Sequence, residues 1–331
     1  MRASLSDLLS SGQVLLADGA TATNYFAMGL ESGEPPEFWT TEHPDRVISL
    51  HHQFVDAGAD IILTNTFGCN RHRLKLHKAQ SRVHELAKRA AELARLVADA
   101  SDRPVVVAGS VGPTGELFEP LGALTDAEAV DTFAEQIAGL RDGGADVVWI
   151  ETMSAPEEIR SAAQAAINVG IPYVATMSFD TAGRTMMGLK PDLLESVFDG
   201  LAIPPLAIGA NCGVGASDVL ISVTEMRNFQ NLIVSKGNCG IPKFHGTTIS
   251  YSGTPELMRD YATLAADAGV RIVGGCCGTT PVHVAAMRDG LDHRIPGPPP
   301  TLEDVITKIG PLINSIPSDK SSGRKRRRDN N

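Results

Sequence analysis

Short apolar runs recur along the chain and alternate with segments in which apolar residues have helical spacing. The runs are rich in Val and Ile and are apolar at nearly every position. That pattern is typical of strands buried on both faces of a parallel sheet. It predicts eight strands, over residues 14–18, 61–67, 104–112, 146–152, 172–180, 207–213, 231–240 and 270–278.

The intervening segments contain signals for helix starts and ends. Thr125 and Glu128 fit a capping box, and several segments have proline in the first turn or glycine before the next strand. Eight strands alternating with eight helices predict a single (β/α)8 TIM barrel. A doubly wound open sheet fits less well, because the first strand is followed by DGATAT and not by a glycine-rich nucleotide fingerprint. The helices are expected over residues 43–57, 81–100, 125–142, 155–169, 190–200, 215–228, 254–268 and 280–290.

Two segments fall outside this alternation. Residues 19–42 form a long first βα loop, at the barrel mouth where lids are usually found. Residues 296–331 begin with PGPPP and end with a basic run, which predicts a Pro-rich spacer followed by a flexible, disordered tail. We therefore assign residues 1–295 to one barrel domain and 296–331 to the spacer and tail.

The composition restricts the partners of the barrel. Hydrophobic residues make up 43% of the 331 positions, which is enough for a substantial core. The 29 basic and 39 acidic residues give a net charge of −10, which disfavours nucleic-acid and membrane-surface binding. The first residues do not resemble a secretion signal, and no apolar run approaches the roughly 20 residues of a membrane span. We expect a cytoplasmic protein, for which a homo-oligomer is compatible with the sequence.

Chemically reactive residues are concentrated where the predicted strands end. In a (β/α)8 barrel these carboxyl ends meet at one face, which is where active sites are built. Four of the five cysteines therefore converge on one rim, although they lie far apart in sequence. The residues at the strand ends are Asp18, Asn65, Glu151, Asn211, Cys212, Asn238, Cys239, Cys276 and Cys277.

Several thiolates on one rim favour a zinc ion. Cys212, Cys276 and Cys277 supply three ligands and leave a fourth position open, as in catalytic zinc sites. Adjacent cysteines cannot both point inward from a regular strand, so the last strand is expected to end at them. Cys239 is interpreted as a non-ligand, although as a fourth ligand it would close a structural site, and Cys69 is interpreted as a bystander.

At this point several motifs resemble one known family. The chain is similar to the zinc-dependent homocysteine S-methyltransferases over residues 13–290, and especially to the short bacterial betaine–homocysteine S-methyltransferases. The pairing of G-x-N-C with G-G-C-C-G is the most specific part of the resemblance. The matching segments are DGATAT (18–23), TNTF (64–67), ET (151–152), GANC (209–212), GGCCGTTPVH (274–283), SVGPTGELFEPLG (110–122) and TMSFDTAGRTMMG (176–188).

The resemblance implies a reaction and a substrate site. Zinc on the three cysteines would activate the thiolate of homocysteine, which displaces a methyl group from an onium donor. Asp18, Gly19 and Glu151 are implied to hold the amino-acid end of homocysteine, although Asp18 also suits a turn cap. Asn211 is interpreted either as orienting the neighbouring cysteine or the substrate, or as a turn residue.

The donor implied by the resemblance is glycine betaine, which would give methionine and dimethylglycine. A quaternary ammonium group favours aromatic surfaces, and Trp39 resembles the donor-site tryptophan of the family, with loop packing as the alternative. Gly68 and Thr152 stand where the animal betaine enzymes have tyrosines. Either other rings at the rim replace them, with Tyr25, Phe26, Phe244 and Tyr251 as candidates, or the donor differs.

Other functions are compatible with parts of the pattern. S-methylmethionine, S-adenosylmethionine or another sulfonium remains an alternative donor for the same transfer. A zinc lyase or hydrolase fits less well, because such sites usually include histidine or carboxylate ligands. A structural zinc module would need Cys239 as the fourth ligand.

Overall fold

A computed structural model describes residues 4–245 and 248–314 of the chain. Residues 315–331, which include the predicted basic tail at 321–331, and the side chain of Phe244 lie outside the described part. Within the described residues, eight strands form one parallel sheet, and two more form an antiparallel pair. The strands are β1 (Leu15–Leu16), β2 (Ile61–Leu63), β3 (Val106–Val111), β4 (Val147–Met153), β5 (Tyr173–Met177), β6 (Ala207–Cys212), β7 (Leu232–Gly237), β8 (Pro242–His245), β9 (Thr248–Tyr251) and β10 (Ile272–Gly275).

The parallel sheet is a barrel. Its strand order is β1-β10-β7-β6-β5-β4-β3-β2, and a parallel bridge between Ala17 and Ile61 joins the two end strands. The predicted (β/α)8 architecture is therefore confirmed. The antiparallel pair β8–β9 is an insertion between β7 and the next barrel strand, and the sequence pattern did not predict it.

Helices surround the barrel and begin where the sequence signals indicated. Thr125 and Glu128 form the predicted capping box, and proline occupies the first turn of the helices that start at residues 44, 156, 255 and 281. The helices are α1 (Leu5–Ser10), α2 (Ala22–Ala27), α3 (Trp39–Glu42), α4 (Pro44–Asp56), α5 (Arg71–Lys75), α6 (Val83–Ala100), α7 (Asp126–Asp142), α8 (Pro156–Val169), α9 (Ala216–Thr224), α10 (Pro255–Asp267), α11 (Pro281–Asp292) and α12 (Leu302–Lys308).

One predicted helix is wrong. Residues 190–200 form two short 3₁₀ turns, Pro191–Leu193 and Glu195–Phe198, instead of an α-helix. Arg160 of α8 donates hydrogen bonds to the carbonyl oxygens of Val197 and Asp199, which stabilises the non-helical end of this segment. A tertiary contact thus satisfies backbone groups that a longer helix would have used internally.

The segments outside the alternation also contain short helices. The first loop, residues 19–42, includes α2, a 3₁₀ turn and α3. Within the predicted spacer, α12 contacts α9 and α10. None of the helices that the structure describes combines the length and apolar character of a membrane span.

The interior of the barrel changes from apolar to polar along the strands. One core cluster fills the interior and includes Leu5 and Leu9 of α1, whereas a second cluster lies between strands and helices. Successive strand residues point to opposite faces, so the residue two positions after an interior residue also faces inward. At the carboxyl ends these positions are polar: Ser110 follows Ala108, Glu151 follows Trp149, Thr176 follows Val174, and Lys236 follows Val234.

Candidate metal and substrate site

Three cysteines meet at the carboxyl end of the barrel. Cys212 is the last residue of β6, and Cys276 and Cys277 follow immediately after β10, which ends at Gly275 as the paired cysteines predicted. Their sulfur atoms all lie within 4.8 Å of one another, and the Sγ atoms of Cys212 and Cys277 are 3.9 Å apart. The structure therefore brings together the three residues that the sequence singled out as ligands.

This cluster has the chemistry of a metal site. Two thiolates on a tetrahedral zinc ion lie about 3.8 Å apart, which matches the observed separation. Hydrogen bonds from Cys212 and Cys276 lower the pKa of Cys277 to about 3, whereas hydrogen bonds with Cys276 and Cys277 raise the pKa of Cys212 well above its ordinary value. The thiolate form of Cys277 is thus favoured by hydrogen bonds from the neighbouring thiols. A divalent cation can replace the protons of the other two cysteines.

Asn211 connects the cysteine cluster to the neighbouring strands. Its fully buried amide accepts hydrogen bonds from the backbone N–H of Thr152 and the hydroxyl of Thr176, at 2.8 and 2.7 Å. Its Nδ2 donates to the hydroxyl of Thr152 and lies 3.9 Å from Sγ of Cys276. These contacts fix the position of the Asn211 amide beside Cys276, and its role in orienting the site stays a prediction.

Two non-glycine residues beside this amide have left-handed backbone conformations. Cys212 has φ of 63° and Thr152 has φ of 61°. Such conformations cost about 1 kcal/mol or more and persist where surrounding contacts enforce them. The register between β4 and β5 also shifts between Ile150 and Met153, the stretch that contains Thr152.

Charged residues form a second cluster next to the cysteines. Asp18 is 1% exposed; its Oδ2 accepts the backbone N–H of Leu63, and its Oδ1 lies 3.2 Å from Nζ of Lys236. Glu151 is 8% exposed, and its Oε1 accepts a 2.5 Å hydrogen bond from the hydroxyl of Ser110. Burial raises the pKa of Glu151 to about 7 and also raises the pKa of Asp18.

A cavity of about 540 Å³ connects the two clusters. Gly19 forms part of its wall, and a Cβ there would lie 2.5 Å from the carbonyl oxygen of Thr279. Only glycine therefore lets the first loop pass so close to the loop after β10. Of the predicted substrate residues, Gly19 and Glu151 line the cavity, whereas Asp18, Asn211 and Trp39 are absent from its described lining. Asp18 contacts Lys236, which does line it.

Lys236 is a site residue that the sequence reasoning missed. It lies within a strand otherwise made of apolar and small residues, LIVSKG, and it is 2% exposed. A signal was available, because Lys236 follows the interior residue Val234 by two positions. Counting along the strand would have placed the lysine inside the barrel mouth.

Trp39, the predicted donor-site ring, does not line the cavity among the described residues. It is 2% exposed, its ring stacks on Tyr25 with centroids 4.7 Å apart, and Arg46 lies 4.9 Å from its centroid. Because Tyr25 and Arg46 already contact the indole, the expectation of a donor-site tryptophan is corrected to a packing role.

The other aromatic candidates are also dispersed. Tyr25 is fully buried beside Trp39, and Phe26 is half exposed outside the cavity. Tyr251 does lie near the cysteine cluster, since burial and the neighbouring Cys277 raise the pKa of its hydroxyl. Among the described residues, Phe67 and His77 are the aromatic side chains that line the cavity, and neither was among the donor-site candidates.

The two remaining cysteines lie outside the described three-cysteine cluster. Cys239 is 1% exposed, and burial raises its pKa to about 12. Cys69 is fully buried and directs its thiol toward the carbonyl oxygen of Val83. Both positions agree with their interpretation as non-ligands.

Replacing Trp39 by alanine tests its packing role. We expect the free energy of unfolding to fall by about 3–5 kcal/mol, as for other buried aromatic residues, with the KM of the methyl donor unchanged. Denaturant unfolding and steady-state kinetics measure the two quantities. Phe26→Ala is the control, with a change within about 1 kcal/mol because that side chain is half exposed. A raised donor KM in Trp39→Ala at unchanged stability would restore the donor-site interpretation.

The fold and the site define a (β/α)8 barrel with three cysteines and a buried ionic cluster at its carboxyl end. The sequence profile described as homocysteine S-methyltransferase matches residues 15–291. The chain therefore belongs to the homocysteine S-methyltransferase family.

Two curated relatives agree with this placement, and one solved structure has the same fold. The chain is 31% identical to methionine synthase of Mycobacterium tuberculosis over 299 residues, which are 85% of this chain and 25% of that protein. It is 29% identical to the Mycobacterium leprae methionine synthase over 336 residues, 94% of this chain and 27% of that one. The chain thus spans about a quarter of the length of these relatives. The metallated homocysteine methyltransferase MmuM of Escherichia coli has the same fold, with a TM-score of 0.73 and 22% sequence identity. The match covers 86% of this chain and 98% of MmuM.

Proposed function

We propose that this protein transfers a methyl group from glycine betaine to the sulfur of homocysteine, which yields methionine and dimethylglycine. The proposal rests on one observation: the three-cysteine cluster and the ionic residues Glu151 and Lys236 line the same cavity. Homocysteine combines a thiol with an ammonium and a carboxylate, so its two ends match the two clusters. Membership of the family supports the thiol acceptor, and the name of the mycobacterial relatives supports methionine as the product.

Cys212, Cys276 and Cys277 are the residues that would hold zinc. Thiolates are ligands that zinc prefers, and the sulfur separations are compatible with a tetrahedral ion. When bound, zinc would keep the homocysteine sulfur in its thiolate form at neutral pH. The chain contributes the orientation of the cysteines through the amide of Asn211.

The ammonium group of homocysteine is assigned to Glu151 and Asp18. One oxygen of Glu151 accepts the Ser110 hydroxyl, which leaves the other oxygen for a charge-assisted hydrogen bond. Because the pKa of Glu151 is about 7, an adjacent ammonium group favours its ionised form. Binding of the amino acid and ionisation of this carboxyl therefore support each other.

The methyl transfer itself needs no added proton. A carbon–sulfur bond forms as a carbon–nitrogen bond of betaine breaks, and the electron pair of that bond stays on the nitrogen of dimethylglycine. The sulfur loses its negative charge and the donor nitrogen loses its positive charge, so the net charge of the reactants equals that of the products. A buried cavity favours such a charge-neutralising step.

The outer part of the cavity supports a zwitterionic donor. Phe67 contributes an aromatic face, and Glu37, which is 4% exposed, accepts a 2.6 Å hydrogen bond from the backbone N–H of Gly68. A carboxylate beside a ring can stabilise an onium group where a second ring is missing. Arg73 lines the same region and suits the carboxylate of betaine.

Product analysis tests the proposal. Zinc-loaded protein is incubated with homocysteine and equal concentrations of glycine betaine or S-methylmethionine, and methionine and dimethylglycine are quantified. We expect both products with betaine.

Glu37→Gln is expected to raise the betaine KM about tenfold by removing the nearby negative charge, with the homocysteine KM unchanged.

Exposed Glu34→Gln is the matched control and should leave both KM values unaltered. Methionine formed only from S-methylmethionine would move the donor assignment to a sulfonium. An absence of methionine with either donor, in protein that retains zinc, would overturn the methyltransferase proposal.

A further inference from the structure

Lys236 lies between the two strands that lead to the cysteines. Its strand, β7, is flanked in the barrel by β6 and β10. In register, Lys236 pairs with Asn211, which precedes Cys212, and with Gly274, two residues before Cys276. The lysine therefore reaches the interior directly beside the cysteine cluster.

The barrel is built to accommodate this side chain. A Cβ on Gly274 would lie 3.0 Å from Cγ of Lys236, so the glycine leaves space for the lysine stem. The Nζ atom lies 5.4 Å from the centroid of the Trp149 ring, which forms a cation–π contact beneath it. Burial alone would lower the pKa of Lys236, but the carboxylates of Asp18 and Glu151 outweigh it and raise the pKa. The ammonium group thus stays charged inside the barrel.

The hydrogen bonds of this ammonium group are incomplete. A lysine ammonium has three N–H donors, and Asp18 is its one hydrogen-bond partner among the described residues. Lys236 also lines the cavity. Donors therefore remain for a ligand that enters the cavity, and an anionic oxygen is the ligand that matches a buried cation.

We propose that Lys236 binds the carboxylate of the thiol substrate and so restricts the acceptor to α-amino acids. This inference rests on the proposed acceptor function and extends it by assigning a role to a residue that sequence reasoning missed. In an α-amino acid, the ammonium and the carboxylate are attached to the same carbon. Recognition of both groups needs an acid and a base side by side, which Glu151 and Lys236 provide near Asp18.

Binding of substrate analogues tests the assignment. Isothermal titration of zinc-loaded protein compares homocysteine, 3-aminopropane-1-thiol, which lacks the carboxylate, and 4-sulfanylbutanoate, which lacks the ammonium. In the wild type we expect homocysteine to bind about 10- to 100-fold more tightly than the aminothiol, as expected for a charged hydrogen bond. In Lys236→Met this ratio should fall to about 3 or less, while affinity for the aminothiol changes little.

The controls separate this role from a structural one. If Lys236 only holds Asp18 in place, Lys236→Met weakens homocysteine and the aminothiol equally, the ratio persists, and the inference is overturned. Lys236→Arg should keep a ratio above that of Lys236→Met, because it preserves the charge. If Lys236→Met does not fold, the ratio of the wild-type affinities for homocysteine and the aminothiol tests the proposal by itself. Equal affinities for these two ligands would refute carboxylate recognition. Failure of the wild type to bind any of the three thiols would instead reject the proposed acceptor.

Discussion

Replacing Cys276 by serine is expected to remove the bound metal and to lower kcat/KM for methionine formation by about a thousandfold or more, since metal assistance is worth several kcal/mol. A serine hydroxyl is a hard, neutral ligand and a poor substitute for a thiolate. The loss would leave Cys212 and Cys277 as the remaining ligands of the cluster. Elemental analysis of the purified protein measures zinc per chain, and the betaine assay measures the rate.

Cys239→Ser and Cys69→Ser are the matched controls. Both residues are buried cysteines outside the three-cysteine cluster, so both variants should retain one zinc per chain. Zinc retained in Cys276→Ser but lost in Cys239→Ser would show that the ligand set has been wrongly assigned. Zinc retained in all three variants would mean that the metal is held elsewhere.

The barrel was predictable because its strands are buried on both faces. The apolar runs are therefore nearly continuous, and the capping box at Thr125 and the first-turn prolines mark the intervening helices. The paired cysteines carried geometric information as well. Since Cys276 and Cys277 cannot both point inward from a strand, their sequence predicted where β10 ends.

The errors arose where tertiary contacts decide the outcome. Residues 190–200 have a helical pattern, but Arg160 of α8 donates hydrogen bonds to two carbonyl oxygens of this segment. Trp39 has the residue type and the loop position of a donor-site ring, but Tyr25 and Arg46 contact its indole. Neither contact leaves a local signal, because the partners are set by the packing of the first loop and the helices.

The polar layer of the barrel mouth could be predicted only in part. Glu151 and Asn211 stood out because they end apolar runs, whereas Lys236 was hidden within one. The same period of two that places Val234 in the interior also places Lys236 there. Which of these groups pair with each other depends on strand order, and that order becomes visible only in the folded barrel.

Replacing Glu151 by glutamine is expected to lower kcat/KM for homocysteine about a hundredfold and at the same time to stabilise the metal-free protein above pH 7. The activity falls because a neutral amide loses the charge-assisted bond to the substrate ammonium, a loss of about 3 kcal/mol. Stability rises because burial raises the pKa of Glu151 from 4.5 to about 7. Between these values the folded state binds more protons than the unfolded state, so the free energy of unfolding of the wild type falls as pH rises.

The stabilising effect of Glu151→Gln should therefore grow from about pH 4.5 to about pH 7, in line with those two pKa values, and then level off. Its upper limit is roughly 3 kcal/mol, from the size of the shift. Urea unfolding of metal-free wild type and variant at several pH values measures the difference. Glu157→Gln, an exposed glutamate on α8, is the control and should show no such growth. A difference between Glu151→Gln and wild type that does not change with pH would mean that the Glu151 carboxyl is not strained by burial, and its role would then be confined to binding.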